Sequence, residues 1–457
     1  MRQILLVVVL AAAATGPASA QNRAVPNDPA SIEHALNRLA YGPRQGEVEK
    51  VRDMGLPAWI ERQLDPARID DAALTARLPQ IPKPPDTATQ QEIQRFSRQQ
   101  VQTLAAQKVL RAIYGERQLE EVLVDFWFNH FNVFAGKGRT AAFLPEYERE
   151  AIRPHVWGAF RDLLGATAKS PAMLFYLDNH LSVDPEAAVQ LPRRRGLNEN
   201  YARELMELHT LGVDGGYTQK DIVEVARALT GWTIAQPREA AQRRNPAQQR
   251  RRAQQGQQGQ QGAPDMMMAG AGAFRFTPMF HDRREKTVLG HTITAGGGIE
   301  YGERVLDILA AHPSTARHIA TKLVRRFVSD DPPEALVARA AKRFTDTDGN
   351  LREVVRTIVM SPEFFATEHR GAKTKTPLEF VVSAVRTTGR QVNDARQIVN
   401  ALQQLGMMPY MCQPPTGYDD EPETWINAGA LVTRVNIAQQ VAPAQAVRIG
   451  GPEFQRR

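Results

Sequence analysis

Residues 198–232 read NENYARELMELHTLGVDGGYTQKDIVEVARALTGW, and this stretch decides the fold. Leu197, Tyr201, Leu205 and Leu208 recur at three- and four-residue steps, which lays one apolar stripe along a helix. Gly212 stands where a helix takes a left-handed C-terminal residue, a conformation that carries no steric penalty for glycine. Thr218 is placed to cap a second helix, with Asp221 as the acid of a capping box, and Ile222, Val225, Ala226 and Leu229 point inward. Between the stripes, Asn198, Glu199, Asn200, Arg203, Glu204, Glu207 and His209 crowd into three turns. Two readings fit them. One is a solvated face laced by Glu199–Arg203 and Arg203–Glu207 pairs. The other is a polar cluster lining a cleft.

Outward from this pair the helical period continues. Ile32, Ala35, Leu36 and Leu39 form a stripe that ends at Tyr41-Gly42-Pro43. A long helix is expected from about Ala88 to Tyr114, then a deeply buried one over Gln118–Phe131, with Leu119, Val122, Leu123, Phe126, Trp127 and Phe131 inward. His130 lies at its C-terminal end, where the helix dipole favours histidine. A further helix is expected from Tyr147 to Leu164, and others follow at 299–328, Leu351–Met360 and Pro377–Thr388. A last one, near Trp425–Val441, should turn Leu431, Val432, Val435 and Ala438 inward. Phe274–Ile293 is the one clear β segment, read as a hairpin with His281 and Asp282 at its tip. The expected fold is therefore all-α: one large multi-helix domain with one small hairpin. It is assembled from residues 21–235 and 274–441, with 442–457 as a loose tail.

Two segments stand apart. Residues 1–20 have a positive start at Arg2, an apolar run Ile4–Ala14 and a small-x-small end at Ala18-Ser19-Ala20, the pattern of a signal peptide, so the expected address is periplasmic or secreted. Residues 236–273, rich in Gln, Arg, Ala and Gly, offer too little apolar surface to offset ordering entropy and read as a disordered insert. The formal net charge of +7 comes from Arg2, from this insert with its six arginines against Glu239 and Asp265, and from Arg456 and Arg457. The remainder is balanced, which argues against a nucleic-acid groove. The single cysteine, Cys412, excludes intramolecular disulfides, cysteine-rich zinc sites and c-type haem attachment. No transmembrane span is expected.

Familiar catalytic patterns fail. H-E-x-x-H, Glu-x-x-His on the central helix, G-x-S-x-G, the P-loop and the dinucleotide fingerprint are absent, and Thr345–Glu353 lacks the twelfth-position acid of a calcium loop. What remains is a scattered set on three elements. Glu204, His209, His281 and Asp282 are the candidate acid–base groups, and His130, Glu204 and His209 the candidate ligands of a divalent metal.

The central stretch, together with HALNRLAYGP at 34–43, DFWFNHF at 125–131 and HDRREKTVLG at 281–290, resembles the bacterial exported family called domain of unknown function 1800. The resemblance covers nearly all of the chain after its leader. It implies a helical exported protein, brings no established activity, and implies a partner from a second exported family, domain of unknown function 1501. Two functions follow as expectations: a binding or scaffolding module of the cell envelope, or a hydrolase-like enzyme built on the His/Glu/Asp set, with or without a divalent metal.

Overall fold

Helix starts are written into this chain as caps, and the computed structural model, which describes residues 25–85, 88–189, 196–235 and 272–457, places helices behind them. The Thr218 hydroxyl accepts from Asp221 N while Asp221 returns a bond to Thr218 N, and the helix Gln219–Ala228 follows. Asn350 caps Leu351–Val359 through Glu353 N. Gly212 has φ +85°, which closes the loop between Glu199–Glu207 and Gln219–Ala228. Both the leader, 1–20, and the stretch 236–271 of the Gln/Arg insert lie outside the described residues.

One hydrophobic core runs from Ile32 to Ile449. Its axis is the helix Gln118–His130, packed between Pro29–Leu39, Leu56–Leu64, Gln90–Tyr114 and the turn at 147–152. Trp127 is fully buried, its ring 6.1 Å from Phe131 and 6.0 Å from Phe160. The chain is thus mainly helical, with two small antiparallel strand pairs among the described residues. No helix among those residues is long and apolar enough to cross a membrane.

Four local expectations need correction. The helix expected over Tyr147–Leu164 is broken. A short helix Thr140–Glu146 runs into a π-helical turn, Tyr147–Ile152, then a 3₁₀ turn, and the α-helix restarts at Phe160. Pro154 removes an N–H and its ring crowds the carbonyl four residues back, so the regular ladder cannot pass. The hairpin at 274–293 is instead two separate strand pairs. β1 (Trp232–Ile234) pairs with β2 (Phe274–Phe276), and β3 (Lys286–Val288) with β4 (His291–Ile293). Leu289 and Gly290, both at positive φ, form a tight two-residue turn, so β3 folds onto β4 and leaves β2 to pair back across the insert. His281 and Asp282 therefore sit in the connection between the pairs, buried, and not at a tip.

The last long helix is Ala428–Val441, and its phase differs from the expected one: Ala438 is buried as expected, but Leu431, Val432 and Val435 face out, while Arg434, Ile437 and Val441 face in. Nor is 442–457 loose. It carries the short helix Ala446–Gly450, bridges Thr374 through Arg456, and buries Gln455 and Arg457.

Candidate functional site

His130 reaches the interior because it ends the core helix, one turn beyond Trp127. Its Nε2 lies 3.1 Å from the His209 carbonyl and must donate to it, so the neutral ring presents Nδ1 as a bare acceptor, buried and without a partner. His209 follows the helix Glu199–Glu207 and is held by its own N–H on the Glu204 carbonyl at 3.0 Å. Its Nε2 is likewise buried and unpartnered. The two imidazoles are 6.2 Å apart, and a third, His318, lies 6.2 Å from His130. His318 and Lys322 are one turn apart on the helix Pro313–Phe327. Burial first, and the Lys322 charge second, push His209 down to about 3 and His318 to about 4, and hold His130 well below the usual histidine range. Lys322 itself is pushed down to about 8 by burial and by Arg325, against an opposing pull from Asp420. The cluster is a set of neutral rings beside one poorly compensated ammonium.

Glu204 does not join it. Its backbone carbonyl, not its carboxylate, meets His209, and the carboxylate is raised above its ordinary value by burial and then by Glu207. Nor do the Glu199–Arg203 and Arg203–Glu207 pairs form. Gln219 bridges Arg203 and Glu199 across the helix pair, and Glu207 accepts from the Tyr217 hydroxyl. Among the described residues no three His, Cys, Asp or Glu side chains are placed to hold a metal ion, so His130, Glu204 and His209 are not brought together as ligands.

His281 and Asp282 lie elsewhere. His281 Nδ1 donates to the Thr230 carbonyl at 2.8 Å, and its ring packs on Phe276 and Tyr301. Asp282 is fully buried and accepts from Arg227 at 2.8 Å and from Arg284, while its backbone carbonyl takes Lys286 Nζ at 2.6 Å. Burial alone would raise its carboxyl, but the Arg284 and Arg227 hydrogen bonds hold it well below the carboxylate range. A carboxylate so engaged is an anchor for β3 and its approach, with no lone pair presented to a substrate.

The C-terminal end of the core helix is strapped by a loop. Asn129 clamps Tyr418 at both backbone atoms, 2.7 Å each way, and Asn132 donates to the carbonyls of Cys412 and Pro414. A crevice of about 30 Å³, room for a single water-sized group, lies under this strap between Lys108, Asp125, Asn129, Asn132, Tyr410 and Tyr418. Behind it the π-helical turn places Glu148 to accept from Tyr410 and Arg153, and Arg153 also pairs with Glu121. A larger cavity, about 170 Å³, lies against Phe175, Leu181 and Ile234, and neither His130 nor Glu204 lines it.

The strap depends on Gly417. Its φ is +79°, and a Cβ there would stand 2.3 Å from the Asn129 carbonyl oxygen. Gly417→Ala is expected to destabilise the protein by at least about 2 kcal/mol, through backbone strain and loss of the Asn129 clamp. Chemical denaturation checks this, and a change below about 0.5 kcal/mol would show that the strap is not held there.

Reading for catalytic spacing missed His318, Lys322, Asn129 and Asn132. The signal for the first two was present: His318 and Lys322 are four apart, on one side of a helix whose stripe was plain. No curated protein and no solved structure is significantly similar to the chain. The family model described as "Protein of unknown function (DUF1800)" matches residues 34–455, nearly the whole chain, and the chain therefore belongs to that family.

Proposed function

We propose that this chain is an exported binding or scaffolding module of the cell envelope, working in the periplasm or beyond it, with an exported protein of the domain of unknown function 1501 family as partner. The observation that carries the reading is the separation of the candidate catalytic groups. His130 and His209 are neutral and hydrogen-bond no carboxylate, whereas Asp282 is locked by arginines on another element. A hydrolase of the kind the sequence suggests needs those groups within reach of one reacting atom.

A contact surface is available on the outward face of Ala428–Val441. Leu431, Val432 and Val435 are 39%, 63% and 41% exposed there, and Val447 on the adjoining short helix is 93% exposed. Clustered apolar side chains on a surface mark interaction sites more often than isolated ones do. Co-purification of the full chain with the partner tests the proposal. The double variant Val432→Glu, Val447→Glu should abolish capture, while Glu204→Ala and His209→Ala retain it. Capture unaffected by the glutamates, together with an envelope-hydrolysing activity lost in Glu204→Ala or His209→Ala, would replace this reading with the hydrolase.

A further inference from the structure

Six cationic side chains are buried around the seat of the last residues: Arg326, Lys373, Lys375, Arg434 and Arg457, with Arg38 near enough to feel the charges of Arg457, Glu379 and Arg326. They come from five separate stretches of chain, so no sequence pattern announces them. Glu379 is the one fully buried carboxylate among them, and it faces Arg326 Nη2 at 2.8 Å and Arg457 Nε at 3.0 Å. Asp330 and Asp420, at the rim, pair with Lys373, and Asp420 is 3.7 Å from Arg457. Among these nine side chains cations outnumber carboxylates by three, and the main-chain carboxylate of Arg457, which accepts from Lys373 N, lowers the excess to two. Lys375 can shed its proton, since burial pushes it down to about 7. Arginine cannot. Several guanidinium N–H groups are also left without acceptors: Arg38 Nε and Nη1, Arg326 Nη1, and Arg457 Nη1 and Nη2. Arg38 spends only Nη2, on the His369 carbonyl. Water could satisfy the N–H groups but would leave the charge uncancelled.

We propose that Arg38, Arg326 and Arg457 form a binding site for a small oxyanion of the phosphate or sulfate class. The guanidinium fork matches the oxygens of such an ion pairwise, and one ion shared by three forks supplies both the missing acceptors and the missing negative charge. All three side chains are buried, which suits a free inorganic ion and excludes a group carried on a polymer. The site joins Pro29–Leu39, Pro313–Phe327 and the tail, so a bound anion ties the two ends of the described chain together. This inference does not rest on the binding-module reading.

The test uses the full chain, exchanged exhaustively into a chloride buffer and titrated with inorganic phosphate, then separately with sulfate, at constant ionic strength. The melting temperature should rise saturably, and calorimetry should give one site per chain. Arg38→Gln should weaken phosphate binding about tenfold or more, whereas Lys342→Gln, an exposed lysine paired with Asp346, should leave it unchanged. Because Arg38→Gln can fail to fold, the unmodified protein, purified from phosphate medium and denatured, is also assayed by ion chromatography and should release one oxyanion per chain. Melting temperatures that respond alike to all salts, with no released oxyanion, would overturn the proposal. They would mean that water and the chain's own carboxylates complete the cluster.

Discussion

Asp282→Ala is expected to lower the stability of the folded protein by about 3–5 kcal/mol, because it leaves the buried Lys286 without its counter-charge and takes a shared carboxylate from Arg227 and Arg284. The carboxylate is fully buried and organises Arg227, Arg284 and Lys286. Lys286 is itself buried and held over the Tyr301 ring at 4.3 Å, and burial pushes it down to about 8, against the pull of Asp282. With that pull gone the ammonium should lose its proton still more readily, so the rise of stability with pH that a depressed lysine brings should set in at lower pH than in the unmodified protein. The acid side has a definite sign. The folded carboxyl lies below its unfolded value, so its contribution is complete above about pH 4 and is lost as pH falls through the folded value. The difference between the two proteins should accordingly be largest near neutrality and shrink in acid. Glu186→Ala is the control. That side chain is 75% exposed where it meets Arg284, and its removal should matter by less than about 1 kcal/mol. Urea denaturation at several pH values measures all of this. A loss below about 1 kcal/mol for Asp282→Ala at pH 7 would remove the anchor role and reopen Asp282 as a reactive group.

Much of the fold was legible because caps and apolar stripes are local. Thr218 caps with Asp221 as its local pattern implies, and Gly212 takes the positive φ expected of it, although the helix before it already ends at Glu207. The errors share a physical origin: a partner distant in sequence. Phe274–Phe276 pairs outside the expected hairpin because its partner, Trp232–Ile234, lies across the insert. The final helix departs from the phase of its apolar stripe because Arg434 goes inside, where it donates to Gln455 and to the Lys375 carbonyl. Hydrophobic periodicity assumes that arginine faces water. The polar tail departs from its loose expectation for the same reason, since Gln455 and Arg457 go inside. In the candidate site, His130 and His209 do meet, but through a backbone carbonyl that no residue pattern encodes, and Glu204 enters by its main chain.

The second large effect is expected at Glu379. Its carboxylate closes the capping box of Pro377–Thr388, accepting from Thr376 N at 2.9 Å, and also faces Arg326 and Arg457. Glu379→Gln keeps the shape and an oxygen for the cap, so the cap alone should change little. The lost charge leaves two buried guanidiniums facing each other, which should destabilise the protein by about 3–5 kcal/mol at pH 7. Burial alone would raise this carboxyl, but Arg457 and then Arg326 bring it down to about 2. The folded value is depressed, so the stabilisation is present above about pH 4.3 and disappears as pH falls toward 2. The gap between the unmodified protein and Glu379→Gln should therefore narrow from pH 7 to pH 3, read by denaturant midpoints at each pH. A gap that stays constant would assign the effect to lost packing. The same variant bears on the arginine cluster from the opposite side, since it removes the one buried charge that repels an incoming anion. Phosphate should then stabilise Glu379→Gln more than it stabilises the unmodified protein, recovering part of what the substitution removed. Equal phosphate responses in the two proteins would separate the carboxylate from the anion site, because charges this close in a shared low-dielectric environment cannot act independently.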